Sequence, residues 1–282
     1  MNELLRDAPF LEGFRVVRRK EDKEGVEFLM PFYKKEPEWR ICEWCTRDSL
    51  FASRSVIEKE KSYVIFNAHK RVERDEDGRL TLAIVTKDEY LHPRLDGEGW
   101  PHLLIEQSYE RENIKNLSKL LLDFDLSFLS FESHMGEERN DLHTLQVSLY
   151  LAIGDTNPES KGYHDFYWLG VPLIDYPRYL KPRGWINQDL GKDDATKKLI
   201  YAVDPNSYLK SPFLPGDNLH FKLDLLPFLL EAYKEAKRRG FLPCTKVDDL
   251  GVLSLNFGFE ATGEFDGKLR INRFSILKEE YQ

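Results

Sequence analysis

The segment 162–170, GYHDFYWLG, holds the densest cluster of side chains that could recognise a ligand. Successive side chains of a strand point to opposite faces, so its rings and polar groups lie on both sides. A sugar packs its C–H face against a flat ring while its hydroxyls bond to nearby carboxylates or amides. The pattern therefore predicts that Trp168 and Tyr167 stack on a sugar. The alternative is that these rings belong to the hydrophobic core.

His102 and Glu106 form a second polar pattern, in the segment 98–111. Four residues of strand separate them by about 13 Å, which is too far for direct contact. A ligand that lies along the strand would bridge them, and on this basis His102 is a candidate ligand-binding residue. The alternative is a plain surface strand that follows the Trp100-Pro101 turn.

Glu260, Glu106 and Asp125 are the candidate catalytic acids, because alternation puts each of them on a polar strand face. Glycoside hydrolysis uses two carboxyl groups about 5–10 Å apart across a groove. The sequence does not tell which strands adjoin, and a chain with 49 acidic residues contains many such pairs. An enzyme of this kind would use Glu260 or Glu106 with Asp125 as its acid and base.

The sequence offers little for metal or cofactor chemistry. Cys42 and Cys45 form a lone C-x-x-C without the second ligand pair that a structural zinc ion requires. Glycine-rich phosphate loops and G-x-S-x-G elbows are absent. We therefore expect no cofactor and no metal-binding residue. A structural calcium ion at the acidic loop 189–194, DLGKDD, is the alternative.

Alternating and apolar runs follow one another with little helix between them, which predicts an all-β fold, an antiparallel jelly-roll sandwich. The amphipathic segment 225–239 is the one predicted helix, and it ends before Gly240. We expect a single domain over residues 1–282, with long loops at 34–61 and 172–196. About twelve strands are predicted, at 13–19, 26–33, 62–72, 80–86, 101–109, 119–132, 142–153, 164–171, 197–203, 217–223, 251–260 and 268–276.

Three of these strands pair an apolar face with a polar face that carries few Lys or Arg residues. Amides, hydroxyls and carboxylates suit a hydroxyl-rich partner, whereas an idle surface usually carries long charged side chains. An ordinary exposed face is the alternative. In the strand at 119–128 the alternation slips at Leu129, which predicts a bulge. The candidate ligand-binding residues on these faces and on the 172–196 loop are Gln146, Tyr150, Asn256, Asp125 and Trp185.

Charge and composition exclude some classes of protein. A net charge of −8 argues against binding to duplex nucleic acid, which requires a basic surface. No apolar run is as long as the about 20 residues that a membrane-spanning helix needs, so no membrane association is expected. Three cysteines and an acidic N-terminus favour the cytoplasm, while a trimmed secretory signal would make the protein extracellular. An oligomer is compatible with all of these features.

The C-terminal residues carry a family resemblance. The helix-bearing segment 220–241, HFKLDLLPFLLEAYKEAKRRGF, precedes DDLGVLSLNFGFEATGEFDGKLRINRFSI at 248–276. This ending resembles the closing segment of jelly-roll, concanavalin A-like sandwiches of carbohydrate-binding modules and glycan-active enzymes. The resemblance implies a sandwich fold and a glycan ligand. The Gln-x-His strand and the Arg-rich strand of jelly-roll lyases do not stand here in clear form, which argues against lyase chemistry.

Three functions follow from these observations. The first is a carbohydrate-binding protein that holds an oligosaccharide or polysaccharide on a sheet face by aromatic stacking and hydrogen bonds. The second is a glycan-cleaving enzyme of the same fold, a glycoside hydrolase or lyase, that uses paired carboxylates. The third is a scaffold or oligomer subunit without a glycan ligand, whose interface surrounds Trp185 and Tyr179.

Overall fold

The computed structural model describes residues 1–17, 28–30, 36–90, 92, 94–136, 142–190 and 195–281. Within these ranges the chain forms seventeen β-strands and one α-helix. The strands are β1 (Asn2–Glu3), β2 (Phe14–Val16), β3 (Phe28–Met30), β4 (Trp39–Cys42), β5 (Ser55–Glu58), β6 (Tyr63–Phe66), β7 (Lys70–Arg74), β8 (Leu80–Val85), β9 (His102–Asn113), β10 (Leu117–Ser133), β11 (Leu145–Asp155), β12 (Phe166–Tyr176), β13 (Trp185–Gln188), β14 (Leu199–Ala202), β15 (Asn218–Asp224), β16 (Leu250–Ala261) and β17 (Phe265–Glu280).

The strands form two sheets. The eight-stranded sheet runs β15-β10-β17-β8-β7-β6-β5, with β1 paired to β17. The nine-stranded sheet runs β13-β14-β12-β11-β16-β9-β4-β2-β3. Strand pairs are antiparallel except β12–β14 and β2–β4, which are parallel. The prediction of an antiparallel sandwich is therefore confirmed. The strand count exceeds twelve partly because β4, β5 and β13 lie in the segments predicted as loops.

The core lies between the two sheets and is built by strand alternation. Phe124 and Phe274 of the eight-stranded sheet stack with ring centroids 4.4 Å apart. Phe257 of the nine-stranded sheet meets Phe124 at 4.8 Å. All three rings are buried. Because each strand alternates, the same register that buries these rings turns the intervening polar side chains outward.

The helix α1 (Leu226–Arg238) packs on β10 and β12. Its buried side is Leu226, Leu229, Ala232 and Ala236, which follows the 3.6-residue period of an amphipathic helix. Gly240 comes two residues after the helix with a φ of 84°, a conformation that favours glycine. Among the described residues, no helix is long and apolar enough to cross a membrane.

A buried charge cluster supports the segment 43–50, which leads from β4 of the nine-stranded sheet towards β5 of the eight-stranded sheet. The Nζ atom of Lys70 donates a hydrogen bond to Glu89 Oε1 at 2.7 Å and lies 4.0 Å from Glu43 Oε1. The side chains of all three residues are fully buried. Both Glu43 carboxylate oxygens lie 2.9 Å from the backbone N–H of Leu50, which donates to them. The cluster therefore anchors both ends of the segment that begins with Glu43.

Burial of Glu43 makes the stability of the protein depend on pH. Burial, the largest effect, raises the pKa of Glu43 to about 7, although Lys70 and the Leu50 N–H lower it in part. The folded protein therefore keeps a proton that the unfolded chain has released above its ordinary pKa of 4.5. The free energy of unfolding accordingly decreases as the pH rises from about 4.5 to about 7.

We predict that Glu43→Gln removes this pH dependence. Relative to the variant, the wild type should lose on the order of 1–3 kcal/mol of unfolding free energy across that pH window. Chemical denaturation at several pH values measures the difference, with the exposed substitution Glu58→Gln as the control. Parallel curves for the wild type and Glu43→Gln would contradict the prediction.

Candidate functional site

A groove of about 340 Å³ lies on the polar face of the nine-stranded sheet. Its floor is formed by side chains that alternate with the core residues along neighbouring strands. In the order of the sheet, these strands are β9, β16, β11, β12, β14 and β13. Loops that precede β9 and follow β13 add its walls. The lining residues are Trp44, Trp100, His102, Gln146, Tyr150, Trp168, Trp185, Asn187, Gln188, Asp189, Leu190, Thr196, Ile200, Asn256 and Glu260.

Tryptophan is concentrated in this groove. Four of the five tryptophans of the chain line it, and the fifth, Trp39, is buried in the core. Trp185 keeps 38% of its surface exposed to solvent, whereas the aromatic residues of the core are almost completely buried. Flat apolar rings beside hydrogen-bonding groups are the surface that a sugar ring requires. The groove therefore has the composition of a glycan site.

Glu260 is held at one side of the groove by two ring systems. The Nε1–H of Trp100 lies 3.0 Å from both Glu260 Oε2 and His102 Nε2. His102 Nε2 also lies 3.5 Å from Glu260 Oε2, and its Nδ1 lies 3.3 Å from the Trp44 carbonyl oxygen. Arg94 stacks over the Trp100 ring at 4.8 Å. The carboxylate of Glu260 is thus oriented while 18% of its side chain stays accessible.

Gln146 of β11 brings two acids to one level of the sheet. It pairs with Glu260 of β16 on one side and with Asp175 of β12 on the other. Residues directly opposite each other in a sheet point to the same face. The Nε2 atom of Gln146 donates to Asp175 Oδ1 at 3.2 Å. Glu260, Gln146 and Asp175 therefore form a row across three neighbouring strands.

Asp175 has an unusual electrostatic environment. Its half-buried carboxyl group accepts hydrogen bonds from Thr144 Oγ1 at 2.8 Å and from Gln146. Burial raises the pKa of Asp175, and these hydrogen bonds together with the charges of Arg178 and Arg183 only partly offset the effect. A carboxyl group with a raised pKa holds a proton at a pH where an ordinary aspartate has lost it.

Tyr150 and Asn256 occupy the centre of the groove floor, directly opposite each other on β11 and β16. The Tyr150 ring lies over Gly170, where a Cβ atom would stand 2.7 Å from the ring. The Oδ1 atom of Asn256 is buried and accepts no hydrogen bond from the described part of the chain. Burial of such an acceptor is unfavourable unless a ligand group or a water molecule donates to it.

Trp168 is positioned by a short hydrogen-bond chain. Its Nε1–H donates to Thr196 Oγ1 at 3.1 Å, and that hydroxyl donates to Asp189 Oδ2 at 2.6 Å. Asp189 thereby ties the β13–β14 connection to the ring. The loop 189–194, considered for calcium, continues into 191–194, which lie outside the described residues.

The structure brings most of the predicted ligand-binding residues together and separates the others. In the groove lie Trp168, Gln146, Tyr150, Asn256, Trp185, His102 and Glu260. Tyr167 does not reach it: the residue is fully buried, and its hydroxyl donates to the Leu229 carbonyl at 2.6 Å. Its ring therefore belongs to the core and cannot stack on a sugar, which corrects that expectation.

The expected pairing of Asp125 with a groove acid is also corrected. Asp125 lies on β10, in the opposite sheet, where it accepts a hydrogen bond from Asn272 Nδ2 at 3.0 Å. Glu106 is on the same sheet as Glu260, but it forms an ion pair with Arg40 and lies opposite Asn256. Four residues of β16 separate that level from Glu260, which is about 13 Å.

Among the residues that escaped the sequence-based prediction are Trp44 and Trp100 of the groove, and Asp175, which adjoins the groove through its hydrogen bond from Gln146. Trp44 lies in an irregular segment without a strand pattern, and Trp100 directly precedes the predicted strand 101–109. Asp175 lies in the Pro-rich segment predicted as a loop, whereas β12 extends through it to Tyr176. The pairing of β12 with β11, which makes Asp175 relevant, is a long-range contact that no local pattern reveals.

No protein-family model matches the chain, and no curated protein matches it in sequence. Among solved structures, it is similar to the endoglucanase Cel12A from Rhodothermus marinus, with 14% identity, 81% of this chain and 97% of that chain covered, and a TM-score of 0.41. It is also similar to the xyloglucanase domain of NopAA from Sinorhizobium fredii, with 10% identity, 80% and 96% covered, and a TM-score of 0.41. A family 12 xyloglucanase from Bacillus licheniformis gives 10% identity, 80% and 97% covered, and 0.41.

These structures bear on the sequence-based predictions in two ways. They are glycan-active enzymes, the kind of protein whose sandwich the C-terminal segment resembles. The main functional prediction, a protein that only binds carbohydrate, is wrong on this comparison, because the similar structures are named as glycan-cleaving enzymes. At 10–14% identity, the similarity is one of fold.

The hydrogen bond from Thr144 gives a direct test of the Asp175 environment. We predict that Thr144→Val raises the pKa of Asp175 further, because the variant loses a donor that favours the ionised carboxylate. Carbon-13 NMR titration of the Asp175 carboxyl group measures the shift. Thr81→Val, a buried threonine on the other sheet, is the control. An unchanged or lower pKa in Thr144→Val would contradict this account.

Proposed function

We propose that the protein is a glycan-cleaving enzyme that hydrolyses a glycosidic bond of an oligosaccharide or polysaccharide bound in the groove. The observation that carries the proposal is the row Glu260, Gln146 and Asp175, in which Glu260 and Gln146 line the groove with its four tryptophans and Asp175 adjoins it by pairing with Gln146. Glycoside hydrolysis requires two carboxyl groups in different protonation states. The different surroundings of Glu260 and Asp175 supply that difference.

Strand spacing sets the distance between the two acids. Neighbouring strands lie about 4.8 Å apart, so the Cα atoms of Glu260 and Asp175 are separated by about 10 Å across β11. Carboxyl groups about 6.5–9.5 Å apart leave space for a water molecule on the face of the sugar opposite the leaving group. Because the two side chains point to the same face of the sheet, we expect their carboxyl groups to keep about this separation, which favours direct attack by water over a covalent glycosyl-enzyme intermediate.

The roles of the two acids follow from their environments. Asp175, with its raised pKa, is the general acid that donates a proton to the glycosidic oxygen as the bond to the anomeric carbon breaks. Glu260, which accepts a hydrogen bond from Trp100, is the general base that takes a proton from the attacking water. Gln146 lies between them and is suited to orient a sugar hydroxyl or that water.

Substrate binding rests on the remaining groove residues. Trp168 and Trp185 offer faces for stacking, and a sugar hydroxyl would donate to the unpaired Oδ1 of Asn256. The substrate is therefore a polymer or oligomer of hydroxyl-rich sugar units. Soluble β-1,4-glucans and xyloglucan are the first substrates to test, because the names of the similar structures include endo-1,4-β-glucanase and xyloglucanase.

Substitution of either acid should abolish most of the activity. We expect Glu260→Gln and Asp175→Asn each to lower the turnover number by about 10²–10⁴-fold, because each removes one proton transfer. Release of reducing ends from a panel of soluble polysaccharides measures this. Asp125→Asn, on the opposite sheet, is the matched control and should retain the wild-type rate.

The proposal would be overturned if the wild type released no reducing ends from any glycan of the panel. If the wild type were active but Asp175→Asn kept full activity, the hydrolase would stand and the role of Asp175 would be wrong. Glycan binding measured on both variants separates a loss of chemistry from a loss of folding or substrate binding.

The stereochemistry of the product tests the spacing of the acids independently. Attack by water in a single displacement inverts the configuration at the anomeric carbon. We therefore expect proton NMR, recorded before mutarotation, to show that the first-formed reducing end has the anomeric configuration opposite to the cleaved bond. Retention of configuration would contradict the assigned spacing and would require a covalent intermediate.

A further inference from the structure

Away from the groove, three side chains converge at one end of the eight-stranded sheet. Glu132 near the end of β10 lies directly opposite Asp266 near the start of β17. His134 follows β10, and its backbone N–H donates to the Glu264 carbonyl at 2.9 Å. One ligand atom from each of the three side chains lies within 4.8 Å of the others.

Glu132 and Asp266 face each other, and among the described residues no Lys or Arg forms an ion pair with either acid, so His134 is the basic side chain beside them. Like charges directly opposite in an antiparallel pair destabilise the sheet. His134 Nε2 and Asp266 Oδ1 lie 3.1 Å apart, yet both atoms are shielded from solvent and make no hydrogen bond within the described residues. An imidazole nitrogen and two carboxylates that converge in this way form a ligand set for a divalent cation.

We propose that Glu132, His134 and Asp266 bind a divalent transition-metal ion of the zinc class. Imidazole favours zinc and its neighbours over calcium and magnesium, whose ligands are oxygens. Ligands about 2.0–2.1 Å from a tetrahedral ion lie about 3.3 Å from each other. The 3.1 Å between His134 Nε2 and Asp266 Oδ1 is close to that value. Three protein ligands leave one position for water.

This site is independent of the proposed hydrolysis. The ion would join the C-terminal end of β10 to the N-terminal end of β17 and neutralise the repulsion between Glu132 and Asp266. A protonated His134 that pairs with Asp266 is the competing arrangement, and it requires no metal. Metal titration distinguishes the two, because the ion pair binds no zinc.

The test is calorimetric titration of Zn²⁺ into the full chain in a Cys45→Ser, Cys244→Ser background, which removes the exposed thiols as competing ligands. We expect one equivalent to bind and the melting temperature to rise by a few degrees, reversed by a chelator. His134→Ala should weaken binding by at least about tenfold. Glu132→Gln, an exposed substitution that does not threaten the fold, should weaken it as well.

His220→Gln provides the matched control. His220 also pairs with a carboxylate, Asp123 at 2.8 Å, but Lys222 and Arg273 lie beside that acid, so no cation is expected there. The control should bind zinc like the background protein. Absence of binding at about 1 mM Zn²⁺ would overturn the proposal. An affinity of Glu132→Gln and His134→Ala equal to that of the background protein would also overturn it.

Discussion

The register of β11 between β16 and β12 is the constraint on which the groove depends. Leu145, Val147 and Leu149 of β11 are buried between the sheets, so the intervening Gln146 must face the groove. A shift of the strand by one residue would expose these leucines and valine to water, which is too costly to occur. The same pairing fixes Glu260 and Asp175 on either side of Gln146. Core packing thereby sets the position of both acids, although neither acid contributes to the core.

The groove combines this rigid floor with local electrostatics that separate the two carboxyl groups. Asp175 is buried enough to resist ionisation, while Glu260 keeps part of its surface and a hydrogen bond from Trp100. Tyr150, four residues beyond Gln146 on β11, has its pKa raised by burial and by the negative charge of Glu260. The hydroxyl of Tyr150 therefore stays protonated and available as a hydrogen-bond donor. A neutral donor on the floor of the groove suits a hydroxyl-rich substrate.

Strand alternation predicted the features that depend on one strand at a time. It gave the polar faces of 142–153 and 251–260, the helix before Gly240 and the slip at Leu129, where the register shifts between Phe128 and Ser130. It failed where the position of a side chain depends on the pairing of its strand with other strands. Tyr167 and Trp168 are adjacent aromatic residues, and only the position of β12 in the sheet determines which one is buried. Asp125 is predicted on a polar strand face, and Asp175 lies in a segment predicted as a loop. Only the assignment of their strands to different sheets shows that Asp175, and not Asp125, lies near Glu260.

The pH dependence of the catalytic efficiency on a cleaved glycan tests the central claim most directly. Glu260 must be ionised to act as a base, so activity should rise as the pH increases through its pKa. Asp175 must be protonated to act as an acid, so activity should fall as the pH increases further, through a pKa raised above the ordinary value. The account predicts a bell-shaped profile whose alkaline limb moves to higher pH in Thr144→Val. A profile without an alkaline limb, or a limb that Thr144→Val leaves in place, would contradict it.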